Sequence, residues 1–457
     1  MSGNLPFGFS AGNGDDDGPG NPFGGFDPAS FDPSSLDISQ IGAALQQLGQ
    51  MLQSGSSDPS PVNWELARDT ARKIVSQQGD PSLTSAQKRE IEQALDLASL
   101  WLDPATSFPA TSSGGGAWSR SEWIENTLGS WKSIVEPVAE KVNGSMSALM
   151  PSDVVPEGLP PELMQTMQSL FGMAKQMGSM MFGGQLGQGL GVLSGEVLGA
   201  ADIGIPLTTD GRAALLPLNI DAFGQDLGVE IDQVRLYVAL RETAAQRLFA
   251  HVPWLRSQLT AAVEAYAAGI NVDRARIEEL SQSVDPNDPE SISRMLSSGV
   301  FTHEDSPEQV AALARLETLL ALVEGWIDDV VTQAATGRLP GVDRLGEAMR
   351  RRRASGGPAE RTFATLVGLE LRPRRLREAV QLWSSVRSAR GAQARDELWS
   401  HPDLLPTGAD LDGDEAIETF VRRSAPLDLS ALDNLPEAPR EGGPTDEQAG
   451  DQDGPSA

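Results

Sequence analysis

The sequence predicts a mainly α-helical domain carrying one small β-hairpin and flanked by disordered acidic ends. Three observations carry that expectation. Apolar residues recur at helical spacing through most of the middle of the chain. The stretch "IPLTTDGRAALLPLNI", residues 205–220, sets an Asp210-Gly211 turn between apolar runs, the signal of a hairpin. The two ends are polar and acidic. Residues 1–60 hold seven acids and no Lys or Arg, and residues 426–457 hold eight acids against one Arg.

Taken in order, residues 1–35 are rich in Gly, Asp, Asn, Pro and Phe and read as disordered. Phe7, Phe9, Phe23, Phe26 and Phe31 are either docking contacts or part of an inert solubilising tail. Ile38, Ile41, Leu45, Leu48 and Leu52 share one face of a short helix. Residues 61–102 read as two helices broken at "GDPS", and "TSSGGG" from Thr111 to Gly116 as a loop. Residues 118–149 are helical, with Trp118, Trp123 and Trp131 as core anchors. A Met-rich segment from Pro161 leads into Gly183, Gly187, Gly191, Gly195 and Gly199. Glycine at every fourth residue gives a helix a smooth stripe that admits another backbone. It predicts a buried central helix, with a membrane dimer face as the alternative. Two long helices follow the hairpin, Asp232–Val252 and Pro307–Thr336. The second opens on a capping box, Ser306 with Gln309, and stops before Gly337. The domain plan is a tail over 1–35, one helical domain over 36–425, and a tail over 426–457. Within the domain, residues 338–395 hold fourteen Arg against five acids.

Composition limits the chemistry. With Cys 0 there are no disulfides, thiolate metal sites or thiol nucleophiles, which suits a reducing compartment. His251, His303 and His401 are the whole imidazole supply. A formal charge of -29 repels nucleic acid and anionic membrane overall. "MSGNLPFGFS" has no charged region followed by an apolar run. Gln176–Gly195 is uncharged, but its Gly and Gln content makes a poor spanning helix. The expectation is a soluble, cytoplasmic protein that does not bind membrane. No Walker loop, dinucleotide fingerprint or serine nucleophile elbow is present.

One helix carries an incomplete catalytic pattern. In H-E-x-x-H, two imidazoles four residues apart reach one zinc ion, and the intervening Glu polarises its water. "VALRETAAQRLFAHVPWLR" reads Arg241-Glu242-Thr243-Ala244-Ala245 at those five positions. Glu242 is present and both imidazoles are absent. A guanidinium stays protonated and offers no lone pair, and Ala has no donor atom. His251 lies ten residues past Arg241, about 280° round the helix. Gln246 is a weak donor on a neighbouring face.

Longer stretches carry a resemblance. "LSGEVLGAADIGIPL", "LYVALRETAAQRLFAHVPWLR", "LVEGWIDDVV", "RRRASGGPAERTFATLVGLELRPRRLREAVQLW" and "ELWSHPDLLPTGADL" together resemble a zincin-like family of metallohydrolases and metalloproteases from high-GC Gram-positive bacteria. The resemblance covers residues 60–425. It implies a mostly helical zincin-like fold and a zinc-dependent hydrolase activity in members with the motif intact. It also implies ligands at positions 241 and 245, a general base at Glu242 and a third ligand at Glu324. In this chain Glu242 is then a vestigial base, and Arg241, Ala245 and Glu324 are degenerate ligand positions, with no cofactor expected. Zinc is expected only if unusual ligands serve.

Arg241 falls in the apolar stripe Val234, Val238, Ala245, Leu248 and Val252. A buried guanidinium needs a partner. Glu324 is the expected one, with the Arg241 cation standing in for zinc as the electrostatic centre. The alternative is a packed stem with its head in water. Glu242, Glu317, Glu324 and Asp328 could form a carboxylate-only Mg²⁺ or Ca²⁺ site, or a solvated face. "DLDGDEAIE" resembles a calcium loop only superficially, since its Gly comes two positions early. His401 reads as a capping or packing residue. Arg350, Arg351, Arg352 and Arg353, with Arg372, Arg374, Arg375 and Arg377, read as an anion-binding strip or as internal neutralisation. The functional expectations are a metal-free binding or scaffold module for a protein or peptide partner, an active metallohydrolase with unusual ligands, or a nucleic-acid-binding module. The hairpin edge offers strand addition to a peptide in the first case.

Overall fold

A computed structural model describes residues 60–147, 161–208, 210–268, 306–354 and 375–424. The expected terminal tails, the Ile38–Leu52 helix, His303, Arg372 and Arg374 lie outside these residues. The architecture is mainly helical, as expected. Helix α1 (Trp64–Gln78) is capped by Asn63, and α2 (Ser85–Leu102) opens on a capping box between Thr84 and Gln87. The break between them is Gly79, at φ 83, and the residues after it. Asp80 in that break accepts the Arg120 and Ser121 amides, at 3.1 and 3.0 Å. It thereby satisfies the first turn of α3 (Arg120–Ser147). Trp123 and Trp131 are fully buried in α3 and meet edge to face at 6.4 Å.

Helix α4 (Pro161–Ser194) lies along α1 through its glycines. A Cβ on Gly187 would stand 2.5 Å from the Ala67 carbonyl oxygen, and one on Gly191 2.8 Å from the Ile74 Cβ. The stripe is therefore a close-packing face, but α4 is not the central helix that the glycine pattern suggested. Met177, Met181 and Val192 are 70%, 47% and 44% exposed. A smooth stripe fixes one close approach and leaves the other faces open.

The interior positions belong to α6 (Ile231–His251) and α8 (Pro307–Ala335), which follow α5 (Pro217–Gly224) and α7 (Pro253–Ala268). Every residue of α6 from Leu236 to Leu248 is buried, and every residue of α8 from Leu319 to Val331. A helix buried on all sides has no solvent face for polar residues, so each of its charges must find a partner inside. α9 (Val342–Ala354), α10 (Leu376–Glu397) and α11 (Asp414–Arg423) complete the domain. No helix among the described residues is long and apolar enough to cross a membrane.

The β-structure departs from the expected hairpin. Strand β1 is Gly116–Ala117, at the end of the predicted loop, and it pairs in parallel with β2, Ala214–Leu215. On its other side Leu215 bridges Gly199 in antiparallel fashion. The turn at Asp210-Gly211 exists, with Gly211 at φ 68 and the Arg212 amide on the Asp210 carboxylate. It sits inside a wide loop, however, whose legs meet, among the described residues, at the single Gly199–Leu215 bridge rather than in a tight two-stranded hairpin. The backbone of residues 213–216 is satisfied on one side by Gly116 and Trp118, distant in sequence, and on the other by Leu198 and Ala200 from the far leg of the same loop.

Candidate functional site

Helices α6 and α8 pack against each other and bring Arg241 opposite Glu324. Nη2 of Arg241 donates to Oε2 of Glu324 at 2.5 Å, and both side chains are buried. Nη1 lies 3.7 Å from Asp328, one turn further along α8. The other oxygen of Glu324 is held by Arg353 of α9 at 2.9 Å. Arg353 also meets Asp202, in the loop after α4, at 3.1 Å, and Arg352 meets the same carboxylate at 3.0 Å. Arg350 holds Asp328 at 3.0 Å.

Glu242 points to the other side of this cluster. Its Oε2 accepts the Ala201 amide at 2.9 Å. Its Oε1 accepts the Gln246 amide nitrogen at 2.9 Å and the Ala214 N–H at 3.4 Å. The carboxylate thus joins both legs of the 198–216 loop to α6. Gly199 makes the approach feasible, because a Cβ there would be 2.5 Å from Oε2. Ala245 is 2% exposed and offers no donor atom. A small cavity of about 20 Å³ separates the two halves of the site, enough for roughly one water. Glu242, Ala245, Glu324, Asp202, Arg241 and Arg353 contribute to its wall.

The electrostatics follow from burial and pairing. Burial pushes the Glu242 carboxyl up to about 7, because its three N–H donors only partly offset the lost hydration. Burial also raises Asp328, against the pull of Arg241 and Arg350. Asp202 is desolvated too, yet Arg352 and Arg353 hold it below the usual carboxylate range. Burial disfavours the Arg241 cation, but Glu324, Tyr237 and Asp328 outweigh it and hold the proton more firmly than usual. The Tyr237 hydroxyl, buried beside Arg241, is pushed up to about 12.

The remaining candidates are placed as follows. His251 stacks on Phe108 at 5.7 Å and bonds the Arg247 carbonyl through Nδ1 at 2.8 Å, away from the site. His401 is exposed and caps the Asp403 amide. The carboxylate-only metal set does not assemble: Glu242, Glu324 and Asp328 are committed to N–H or guanidinium donors, and Glu317 lies outside the cavity wall. Among the described residues no group of three or more His, Asp or Glu side chains could hold a metal ion. The donors at positions 241, 245 and 324 do not fit zinc either, because one is a cation, one has no donor atom and the third is doubly ion-paired. The acidic stretch from Asp410 to Glu418, which resembles a calcium loop only superficially, is a 3-10 turn leading into α11, and Asp410 in it accepts from Thr407 and Arg423, both at 2.8 Å. Of the arginine strip, Arg350, Arg352 and Arg353 face inward onto acids. Arg351 is 77% exposed on Glu347, and Arg375 pairs with Asp412.

Sequence reasoning missed Asp202, Tyr237 and the inward role of Arg353. Asp202 sits in a loop with no motif around it, and only the excess of Arg in 338–395 hinted that acids elsewhere were being balanced.

A protein from Chloroflexus aurantiacus, described as a "putative hydrolase with a novel fold", has the same fold at TM-score 0.54 and 18% identity. The match covers 82% of this chain and 100% of that one. No curated protein matches the chain. The model of the zincin-like metallopeptidase family matches residues 62–417. With that span of the chain matched, this protein belongs to the zincin-like metallopeptidase family.

Proposed function

We propose that this chain is a metal-free, non-catalytic member of its family that serves as a binding or scaffold module for a protein or peptide partner. The observation that carries the reading is the Arg241 guanidinium on Glu324 at 2.5 Å. A cation already occupies the electrostatic position that a zinc ion would need, and a protonated guanidinium cannot ligate one. Glu242 supports the same reading. A general base beside a metal is aimed at the metal's water, whereas three of the roughly four acceptor sites of the Glu242 carboxylate are taken by N–H groups of the loop and of Gln246. The absence of cysteine suits a cytoplasmic setting.

One observation favours the second reading, an active hydrolase with unusual ligands. Glu242 is pushed up to about 7, where a carboxylate exchanges protons near neutral pH. Metal analysis of the purified full chain after equilibration with zinc, paired with a peptidase assay, separates the two. The expected result is substoichiometric zinc and no hydrolysis. Stoichiometric zinc that is lost with hydrolysis in Glu324→Ala would overturn the proposal. Nucleic-acid binding through Arg350–Arg353 is disfavoured by the inward pairing of Arg350, Arg352 and Arg353, which leaves Arg351 outward on Glu347, and salt-sensitive binding lost in Arg351→Ala would restore it.

A further inference from the structure

Helix α9 covers the cavity between α6, α8 and the 198–216 loop, with Met349 and Arg353 as its share of the wall. Little apolar surface holds it there. Leu345 and Met349 are its buried apolar side chains among those described. Val342 packs half-buried at its start, Arg344 donates to the Leu227 and Gly228 carbonyls and Arg352 to the Glu196 carbonyl, and the grip next to the cavity is ionic. Arg350 reaches Asp328 at 3.0 Å, Arg352 reaches Asp202 at 3.0 Å, and Arg353 reaches Asp202 at 3.1 Å and Glu324 at 2.9 Å. With Arg241 these groups form one unbroken series of alternating charge: Arg350, Asp328, Arg241, Glu324, Arg353, Asp202, Arg352. α9 supplies three of its four cations. Arg353 is 7% exposed and is the one that ties the α8 acid to the loop acid. Arg351, on the same helix, points outward and is the natural control.

We infer that α9 is a salt-latched cover over the α6–α8 site, with Arg353 as the residue that fastens it. Releasing Arg353 removes the only α9 cation shared by Glu324 and Asp202 among the described residues, and leaves the cavity end of α9 held by Met349, by Arg350 on Asp328 and by Arg352 on Asp202. The Glu242 and Ala245 wall then opens to solvent. This goes beyond the non-catalytic reading, and it stands on the ion pairs whether or not the site hydrolyses a substrate.

The chain has no cysteine, so a thiol placed at Ala245, 2% exposed on the cavity wall, is the sole labelling site, and a denaturant titration of each variant separates local opening from global unfolding; a rate accounted for by global unfolding overturns the proposal. An aromatic disulfide reagent should label Ala245→Cys slowly. Adding Arg353→Met should raise the labelling rate at least about tenfold, while adding Arg351→Met should leave it within about twofold. Circular dichroism checks that each variant is folded at the assay temperature. Equal rates in the two double variants overturn the proposal. Should Arg353→Met not fold, native-state hydrogen exchange of the unaltered full chain decides. Amides of α9 should then exchange at least about tenfold faster than those of α6 and α8, and protection of α9 as strong as that of α6 overturns the cover.

Discussion

At the scale of single residues, the site is governed by the cost of unpaired charge. Arg241 and Glu324 are both buried, and removing Arg241 leaves one Glu324 oxygen and one side of Asp328 without a cation, with Arg353 and Arg350 on the others. Arg241→Met should lower the free energy of unfolding by about 3–5 kcal/mol, read by denaturant titration. Arg241→Met combined with Glu324→Leu should recover part of that loss, because an apolar pair leaves no stranded carboxylate; equal stability of the single and double variants would contradict this account. Glu242 makes a pH-dependent prediction. Its carboxyl is raised to about 7 in the folded chain from an ordinary 4.5. The folded state therefore holds its proton longer, so this group's contribution is fully present below pH 4.5 and is lost as pH rises through 7. Glu242→Gln cannot ionise. Its stability relative to the parent should rise on the order of 3 kcal/mol between pH 4.5 and pH 8. A pH-independent difference would show that Glu242 stays ionised throughout.

At the scale of elements, the glycine stripe gives a clean contrast within one helix. Gly187 faces the α1 backbone, where a Cβ would lie 2.5 Å from the Ala67 oxygen, whereas Gly184 meets nothing within 4 Å. Gly187→Ala should destabilise by about 1–3 kcal/mol through overpacking. Gly184→Ala should stabilise by about 0.5–1 kcal/mol, since alanine loses less backbone freedom in a helix. Thermal melts of the two variants check both signs. Losing the same stability in both would mean that α4 does not lie against α1 along this stripe. The loop from residue 198 to 216 obeys a different rule. Its short paired segments gain their order from the Glu242 carboxylate, from the distant Gly116–Ala117 strand and from one bridge between its own legs, and the turn signal at Asp210-Gly211 named neither the strand nor the carboxylate.

At the scale of the whole molecule, a second buried charge centre joins segments that are distant in sequence. Arg395 is fully buried. It donates to Asp329 of α8 at 2.8 Å, to its neighbour Asp396 at 2.9 Å and to the Ala105 carbonyl at 2.7 Å. Asp396 in turn accepts from Trp326, Thr106 and the Ser107 amide. Arg247 ties α6 to the same 99–108 region through Ser99, Asp103 and Phe108. Every charge in the Arg395 centre is paired, so breaking it at one point is costly. Arg395→Met should cost about 3–5 kcal/mol in a denaturant melt. Arg351→Ala, on an exposed pair, should stay within about 0.5 kcal/mol. A small effect of Arg395→Met would show that packing, not this network, holds α10 to α8.

The sequence by itself determined the helices and several of their ends. Ser306 with Gln309 is the cap read from neighbouring residues, and Asn63 and Thr84 with Gln87, found in the structure, follow the same local rule. The Trp123 and Trp131 anchors and the place of Glu242 and Arg241 in an apolar stripe were legible for the same reason, since spacing on one helix is local. The sequence also fixed what positions 241 and 245 cannot do, because donor chemistry belongs to the side chain. Only the tertiary structure decided that α6 and α8, not the glycine helix, lie in the interior. It alone paired Gly116–Ala117 with Ala214–Leu215, and set Asp202 and Arg353 around Glu324. These are contacts across long loops. Nothing in the neighbouring residues encodes them; they follow from burial, which forces each charge left in a dry interior to find its opposite wherever the chain brings one.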